Sequence, residues 1–161
     1  MPALNNFVMP TVVDKNDRKL MADIQNYGWH VVHILEEDDQ PRYSFSIGFY
    51  YQFGQPEILV MGLDFDSARQ LINNIGHEFQ QGLYLEEDQY YPGYILKYDI
   101  CFKAIPMEYY HEYTGYACWF YHNIGKSFPI WQCVLPDNRG IFPWEEHYDV
   151  TFAKVQHLLI E

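Results

Sequence analysis

Seven histidines, three cysteines and 22 acidic side chains are the groups that could do chemistry in this 161-residue chain. A metal site needs three or four of them to converge on one ion. His30 and His33 stand three apart in a segment that reads as a strand, so they point to opposite faces and cannot share an ion. His111 lies beside Glu108 and Glu112, but the H-E-x-x-H spacing that sets two imidazoles on one helical face is absent. His77, His122, His147 and His157 have no ligand partner at a helical spacing, and no metal is expected. Nucleophilic catalysis needs an activated hydroxyl or a thiolate. There is no G-x-S-x-G, and Cys101, Cys118 and Cys133 form no C-x-x-C pair. Apolar and aromatic neighbours raise a thiol's pKa rather than lower it, so all three read as reduced structural thiols. No catalytic residue is assigned.

Four polar residues are set aside as pocket candidates: His30, Glu57, Tyr121 and Gln132. Glu57 follows Pro56 and could either cap its own turn or face a pocket. The ten basic residues are scattered, with neither G-x-G-x-x-G nor G-K-[ST], so no phosphate cradle and no cofactor are expected. The acids, in contrast, are grouped at Glu36–Asp39, Glu86–Asp88 and Glu145–Glu146. One reading is solvated loops. The other is a docking surface for a cationic partner, made by Glu36, Glu37, Asp38, Asp39, Glu86, Glu87 and Asp88 with Tyr90, Tyr91 and Trp144 as aromatic anchors.

The formal net charge of -12 repels phosphate backbones and anionic lipid, which argues against nucleic-acid and membrane partners and for a basic protein. No basic start with a long apolar run opens the chain, and no apolar stretch approaches the ~18 residues of a membrane helix, so a cytoplasmic protein is expected. Nothing in the composition fixes an oligomeric state.

The elements that must position these residues follow from periodicity. Residues 1–13 read as an extended arm, and 14–161 as a single α+β domain. Asp14 caps a helix over 15–27 that Gly28 stops. Strands are expected over Trp29–Leu35, over Tyr43–Phe53 by alternation, and over Ile58–Leu63, which is apolar on both faces and so central. A helix capped by Asp64 or Asp66 runs to Gly82. A loop or hairpin edge covers 83–94, and a strand covers Ile95–Ile105. A helix spans Glu108–Tyr121, a strand Pro129–Leu135, and Asp149 caps a last helix. The sum is a mostly antiparallel five- or six-stranded sheet with about four helices packed on one side of it. The segment Gly115–Trp144 is the densest in aromatics, and Trp119 and Trp131 are expected to be largely buried.

Several spaced motifs carry a resemblance. They are Gly28-Trp29-His30, Gly48, Pro56-Glu57, Gly62, Gly115-Tyr116-Ala117, Trp119-Phe120-Tyr121, Gln132, Pro136-Asp137 and Phe142-Pro143-Trp144. Over roughly residues 17–159 the chain resembles the bacterial domain of unknown function 4262 family, with Ser46 where Thr is the expected residue. The resemblance implies a bacterial cytoplasmic protein and supplies no activity, although members are sometimes suspected of neutralising toxins. A looser likeness joins residues 43–80 to the opening of flavin-binding split barrels, so the sheet could be split-barrel-like. The expected function is non-enzymatic binding of another protein, as an immunity-type inhibitor of a basic toxin. The alternative is a small-molecule or flavin-binding enzyme whose pocket the Trp and Tyr motifs line.

Overall fold

Six strands and four helices make one open sheet covered on both faces, in a computed structural model that describes residues 2–160. In chain order the elements are α1 (Lys15–Tyr27), β1 (His30–Ile34), β2 (Tyr43–Ile47), α2 (Phe49–Phe53) and β3 (Glu57–Met61). Then come α3 (Phe65–Gln80), β4 (Tyr90–Tyr91), β5 (Ile100–Ala104), α4 (Tyr110–Tyr121) and β6 (Ile130–Val134). The strand order is β1-β2-β3-β6-β5-β4, all antiparallel except the central β3·β6 pair. β1 and β4 are therefore edges, and the sheet does not close into a barrel.

Two hydrophobic layers explain why the sheet is covered twice. Every residue of β2 and of β3 is buried. Phe45, Ile47, Leu59 and Met61 pack with Leu20 and Ile24 of α1 and with Ala117, Phe120 and Tyr121 of α4. Ile58 and Val60 pack on the other face with Ala68, Leu71, Ile72, Ile75 and Phe79 of α3. The expectation of helices on one side alone is thus corrected. A strand apolar on both faces needs cover on both, and the sequence Ile58–Leu63 already implied it.

α1 forms as expected: the Asp14 side chain accepts from Asp17 N, and Gly28 closes the helix at φ 105°. The expected strand Tyr43–Phe53 breaks at Gly48. Its φ of 124° lies where only glycine is at ease, and a Cβ there would sit 2.8 Å from the Gly28 carbonyl oxygen. The chain turns at Gly48 into the short helix α2. The expected strand over Ile95–Ile105 shortens to β5, because residues 92–99 form a loop with Lys97 at φ 79°. The last helix is a single 3₁₀ turn, Val150–Lys154, capped by Asp149 as expected.

The buried tryptophan is Trp29, not Trp119 or Trp131, which are half-buried. Trp29 seats its ring on Gly76 of α3, donates Nε1–H to Asn73 Oδ1 at 2.9 Å, and meets Phe49 edge-on at 5.5 Å between centroids. Residues 3–8 lie against α2 and α4. Ala3 and Leu4 donate backbone N–H to Gln52 and Tyr51, and Phe7 packs on Tyr51 and Phe120.

Candidate functional site

Glu57 opens β3 with its carboxylate fully enclosed. Ser46 Oγ donates to Oε1 at 2.7 Å, the backbone N–H of Phe49 donates to Oε1 at 3.1 Å, and those of Gly48 and Tyr50 donate to Oε2 at 2.9 and 3.2 Å. The Tyr121 hydroxyl donates to Oε2 as well. Three of these donors are the freed N–H groups at the start of α2, so Glu57 is the missing cap of that helix, supplied from the next strand. Ser46 and Tyr121 are themselves held: Ile58 N–H donates to Ser46 Oγ at 2.9 Å, and Tyr51 N–H to the Tyr121 oxygen at 3.0 Å. Each hydroxyl accepts a backbone proton and passes its own to the carboxylate. Burial pushes the Glu57 carboxyl up, and the hydrogen bonds from Tyr121, Ser46 and the backbone oppose that shift. Burial beside the Glu57 carboxyl raises the Tyr121 phenol well above its ordinary value. Three of the five partners are backbone N–H groups that can only donate, whereas the Ser46 and Tyr121 hydroxyls can donate or accept.

The other pocket candidates lie elsewhere. Gln132 is enclosed in β6, where Nε2–H donates to the His157 carbonyl at 2.7 Å and Oε1 accepts from Leu159 N at 2.8 Å. Gln156 clips Leu135 in the same way with 2.8 and 2.9 Å bonds, so two amides stitch the C-terminal segment to β6. His30 sits on the opposite edge, its Nδ1 2.7 Å from Asp23 Oδ2. Of the four, only Glu57 and Tyr121 touch, and both are sealed from solvent. A second buried carboxylate, Asp137, does for the C-terminal turn what Glu57 does for α2. It accepts from Arg139 N at 2.8 Å, Ile141 N at 3.0 Å and Asp149 N at 2.9 Å.

The two acidic patches also part company. Asp88 is ion-paired to Lys103, whose ammonium also lies 4.5 Å from the Trp144 ring centre. Trp144 stacks on Phe142 at 5.1 Å and donates Nε1–H to the Tyr90 hydroxyl at 3.0 Å. The Tyr91 hydroxyl accepts from Glu86 N at 2.8 Å. Asp88, Tyr90, Tyr91 and Trp144 are therefore engaged with their own chain along the β4 edge, where Glu86 and Glu87 stand exposed.

Glu36, Glu37, Asp38 and Asp39 form the β1–β2 turn at the far edge, and there the surface is hollow. An open groove of about 1020 Å³ is lined by these four acids and by Gln40, Pro41 and Arg42. Gly62, Leu63 and Asp64 from the end of β3 line it too, as do residues 153–155 and His157 from the C-terminal segment. Arg42 pairs with Glu36 at 2.5 Å and lies over the Phe65 ring. Asp64 Oδ2 accepts from Ser67 N at 3.3 Å as the cap of α3, and its carboxyl is held below the usual range by that residue's side-chain and backbone hydrogen bonds. Leu63 and Val155 give the groove apolar surface under its acidic rim. This lining joins residues about 25 and 115 positions beyond the acidic turn, so only Glu36–Asp39 carried a local signal.

Two histidines behave as the strand spacing predicts. His33 lies on the α3 face, with Nδ1 2.6 Å from Ser44 Oγ and its ring 4.6 Å from that of Phe65, opposite to His30. Among the described residues, no three His, Cys, Asp or Glu side chains come together to hold a metal ion. Cys101 and Cys133 are buried and Cys118 half-buried, and burial raises all three thiols above their ordinary value. No helix among the described residues is long and apolar enough to cross a membrane.

A family model described as a domain of unknown function, DUF4262, matches residues 23–149. Comparison with curated proteins and with solved structures gives no match.

Proposed function

The chain belongs to the DUF4262 family, whose description names no activity, and we propose from the site's geometry that it is a non-catalytic module that binds a basic protein. The observation that carries this reading is the acidic groove. Five carboxylates rim it (Glu36, Glu37, Asp38, Asp39 and Asp64), against two basic side chains, Arg42 and Lys154. One of the two basic groups is already matched by Glu36. Leu63 and Val155 suit the aliphatic stem of a lysine or arginine, while the rim suits its charged head. The carboxylates most enclosed in the fold, Glu57 and Asp137, are engaged by backbone N–H groups of their own chain. A cationic segment of a partner protein docks in this groove from solution in the cytoplasm, and a basic toxin is a partner of that chemistry.

Grouped surface acids act mainly on the association rate, because their field reaches about 8–10 Å at physiological ionic strength. The test is surface plasmon resonance with lysine- and arginine-rich peptides at low and high salt. The combined variant Glu37→Lys, Asp38→Lys, Asp39→Lys should bind at least ~10-fold more weakly, with the loss in the association rate. Reversal of Glu86 and Glu87 at the other edge should change little. Peptide binding unaffected by the first reversal would refute the groove as the docking site.

A further inference from the structure

A second groove, of about 680 Å³ between α1 and α3, differs in charge from the rest of the surface. Two of the chain's ten basic side chains line it, Lys19 and Arg69, against one of its 22 acids, Asp23. Both oxygens of Asp23 are already engaged. Lys19 Nζ lies 2.7 Å from Oδ1, and His30 Nδ1 lies 2.7 Å from Oδ2. Among the described residues no other carboxylate lines the groove. What it leaves unused is mostly hydrogen-bond donors.

The α3 wall presents those donors in a row. Arg69, Asn73 and His77 stand four apart, which puts them on one face of the helix beside its buried apolar stripe. Arg69 spends Nη2 on Asp66 at 2.7 Å, in an exposed pair of the kind that contributes little to stability. Asn73 Oδ1 accepts Trp29 Nε1–H at 2.9 Å, so the amide is oriented, and among the described residues its N–H₂ has no acceptor. His33, on the adjoining β1, has its tautomer set from behind. Its Nδ1 lies 2.6 Å from the Oγ of Ser44, which is fully buried. Among the described residues that hydroxyl meets no other acceptor, and a buried donor without one is costly. Ser44 therefore donates, Nδ1 accepts, and Nε2 carries the proton that His33 offers to the groove it lines. Burial, and then the Arg69 charge, hold this imidazole below its ordinary value, so it is neutral at pH 7.

We infer that this groove is a binding site for a small organic anion, whose phosphate or carboxylate group lies against Arg69, His33 and Asn73. Fixed neutral donors beside a guanidinium fork are the chemistry that recognises an oxyanion. A cation finds no open carboxylate here, and an apolar ligand would strand the donors. The volume falls within the ~300–1,000 Å³ of small-molecule sites. The net charge of -12 opposes an anion from a distance, but screening limits that field to about 8–10 Å at physiological salt. Two acids outside the groove and close to its residues in sequence, Glu36 and Asp66, are each paired with an arginine.

The inference does not rest on the proposed cationic partner, whose groove lies at the acidic turn. Arg69→Gln removes a positive charge, so it weakens an anion's binding and does not weaken docking of a cationic peptide. The two readings therefore fail separately.

Inorganic phosphate and acetate are the probes, each titrated into the isotope-labelled full chain at constant pH and ionic strength, with chloride as the balancing anion. By nuclear magnetic resonance, the Trp29 indole N–H, the Asn73 side-chain amide and the His33 imidazole should shift together and saturate with one dissociation constant. Arg69→Gln should raise that constant about tenfold or more, as expected for loss of a charge-assisted contact. Lys126→Gln removes the same charge elsewhere and should leave it within about twofold. Asp66→Asn releases Arg69 and should lower it. Tighter phosphate binding assigns the ligand as a phosphate ester, and tighter acetate binding assigns it as a carboxylate. Shifts that never saturate, or that Arg69→Gln leaves unchanged, overturn the inference. So does equal weakening by Lys126→Gln, because the anion then answers to net charge and not to this groove.

Discussion

Replacing Glu57 by glutamine separates a structural carboxylate from a catalytic one. Glutamine keeps the size of the side chain and one acceptor oxygen, but puts an N–H₂ group in place of the other oxygen. One Glu57 oxygen accepts from Ser46 and Phe49; the other accepts from Gly48, Tyr50 and Tyr121. Whichever way the amide is turned, its N–H₂ faces at least one backbone N–H that can only donate and one hydroxyl whose proton was committed to the carboxylate. Each buried donor left without an acceptor costs about 1–3 kcal/mol. Two of them give about 2–6 kcal/mol, and relief from burying a charge offsets part of that. The net expectation is a loss of about 3 kcal/mol, which for a chain of this length lowers Tm by roughly 6–12 °C. Thermal unfolding followed by circular dichroism measures it. Hydrogen exchange should show the same loss locally, with the amides of Gly48, Phe49 and Tyr50 among the first to lose protection. A variant within about 1 °C of the parent would refute the cap argument. A variant more stable than the parent would point to a carboxylate held in place for function, since functional sites often carry a stability cost.

The remaining predictions test packing, thiols and titration. Gly76→Ala should destabilise the protein by about 1–3 kcal/mol in a denaturant titration, although alanine is the better helix former by about 1 kcal/mol. The added Cβ would lie 2.6 Å from Trp29 Cζ2, and a gain in stability would contradict that contact. A thiol reagent should modify Cys118 slowly in the native protein and reach Cys101 and Cys133 only on unfolding; three equally fast native thiols would contradict their burial. The Asp17 carboxyl lies below its ordinary value, chiefly through the Tyr116 hydroxyl bond. Asp137 lies below it because N–H groups from Ile141, Asp149 and Arg139 outweigh burial. With folded-state values below unfolded ones, their stabilisation is complete above about pH 4–5 and is lost as pH falls through the lowered values. Asp137→Asn keeps an acceptor for Arg139 and Ile141, so its stability should fall less steeply below pH 4 than the parent's, and an identical acid limb would refute that assignment.

What the sequence made legible was whatever one stretch of chain decides by itself. α1 runs from Lys15 to Tyr27 as expected, because its cap, its apolar stripe and its terminal glycine are all local. β1, β3 and β6 fall within a residue or two of the expected bounds for the same reason. Tyr43–Phe53 misled because alternation continues through Phe49, while the decision to turn comes from outside. α2 is Phe-Tyr-Tyr-Gln-Phe, a composition that favours a strand, and it is helical because Glu57 receives its first N–H groups. The loop 92–99 misled in a similar way. Its run Tyr94-Ile95-Leu96 suits a strand, but Tyr94 is tied to Glu78, and the Tyr98 hydroxyl to the Asn138 carbonyl at 2.7 Å. The four pocket candidates lie apart, save Glu57 and Tyr121, for a related reason. His30, Glu57, Tyr121 and Gln132 are polar residues in apolar surroundings, and three of them serve internal backbone groups instead of a ligand.

That division sharpens the case for the acidic turn. In a chain with 22 acids, an acidic residue by itself says little about function. The fold sorts them by what they touch. Glu57, Asp137 and Asp17 each accept from backbone N–H groups, and Asp14, Asp64 and Asp149 cap helices or turns. Asp23, Asp66 and Asp88 are held by basic or imidazole neighbours. Glu37, Asp38 and Asp39 fall in none of these groups through their side chains: Glu37 is bridged to Gln40 only through the backbone, at 2.9 Å in both directions. A turn of this length would fold with serine or asparagine in their place at less electrostatic cost, because adjacent carboxylates repel one another. Three adjacent charges with no side-chain partner among the described residues stand at the rim of the groove beside Leu63 and Val155, and the proposed docking of a cationic segment rests on that arrangement.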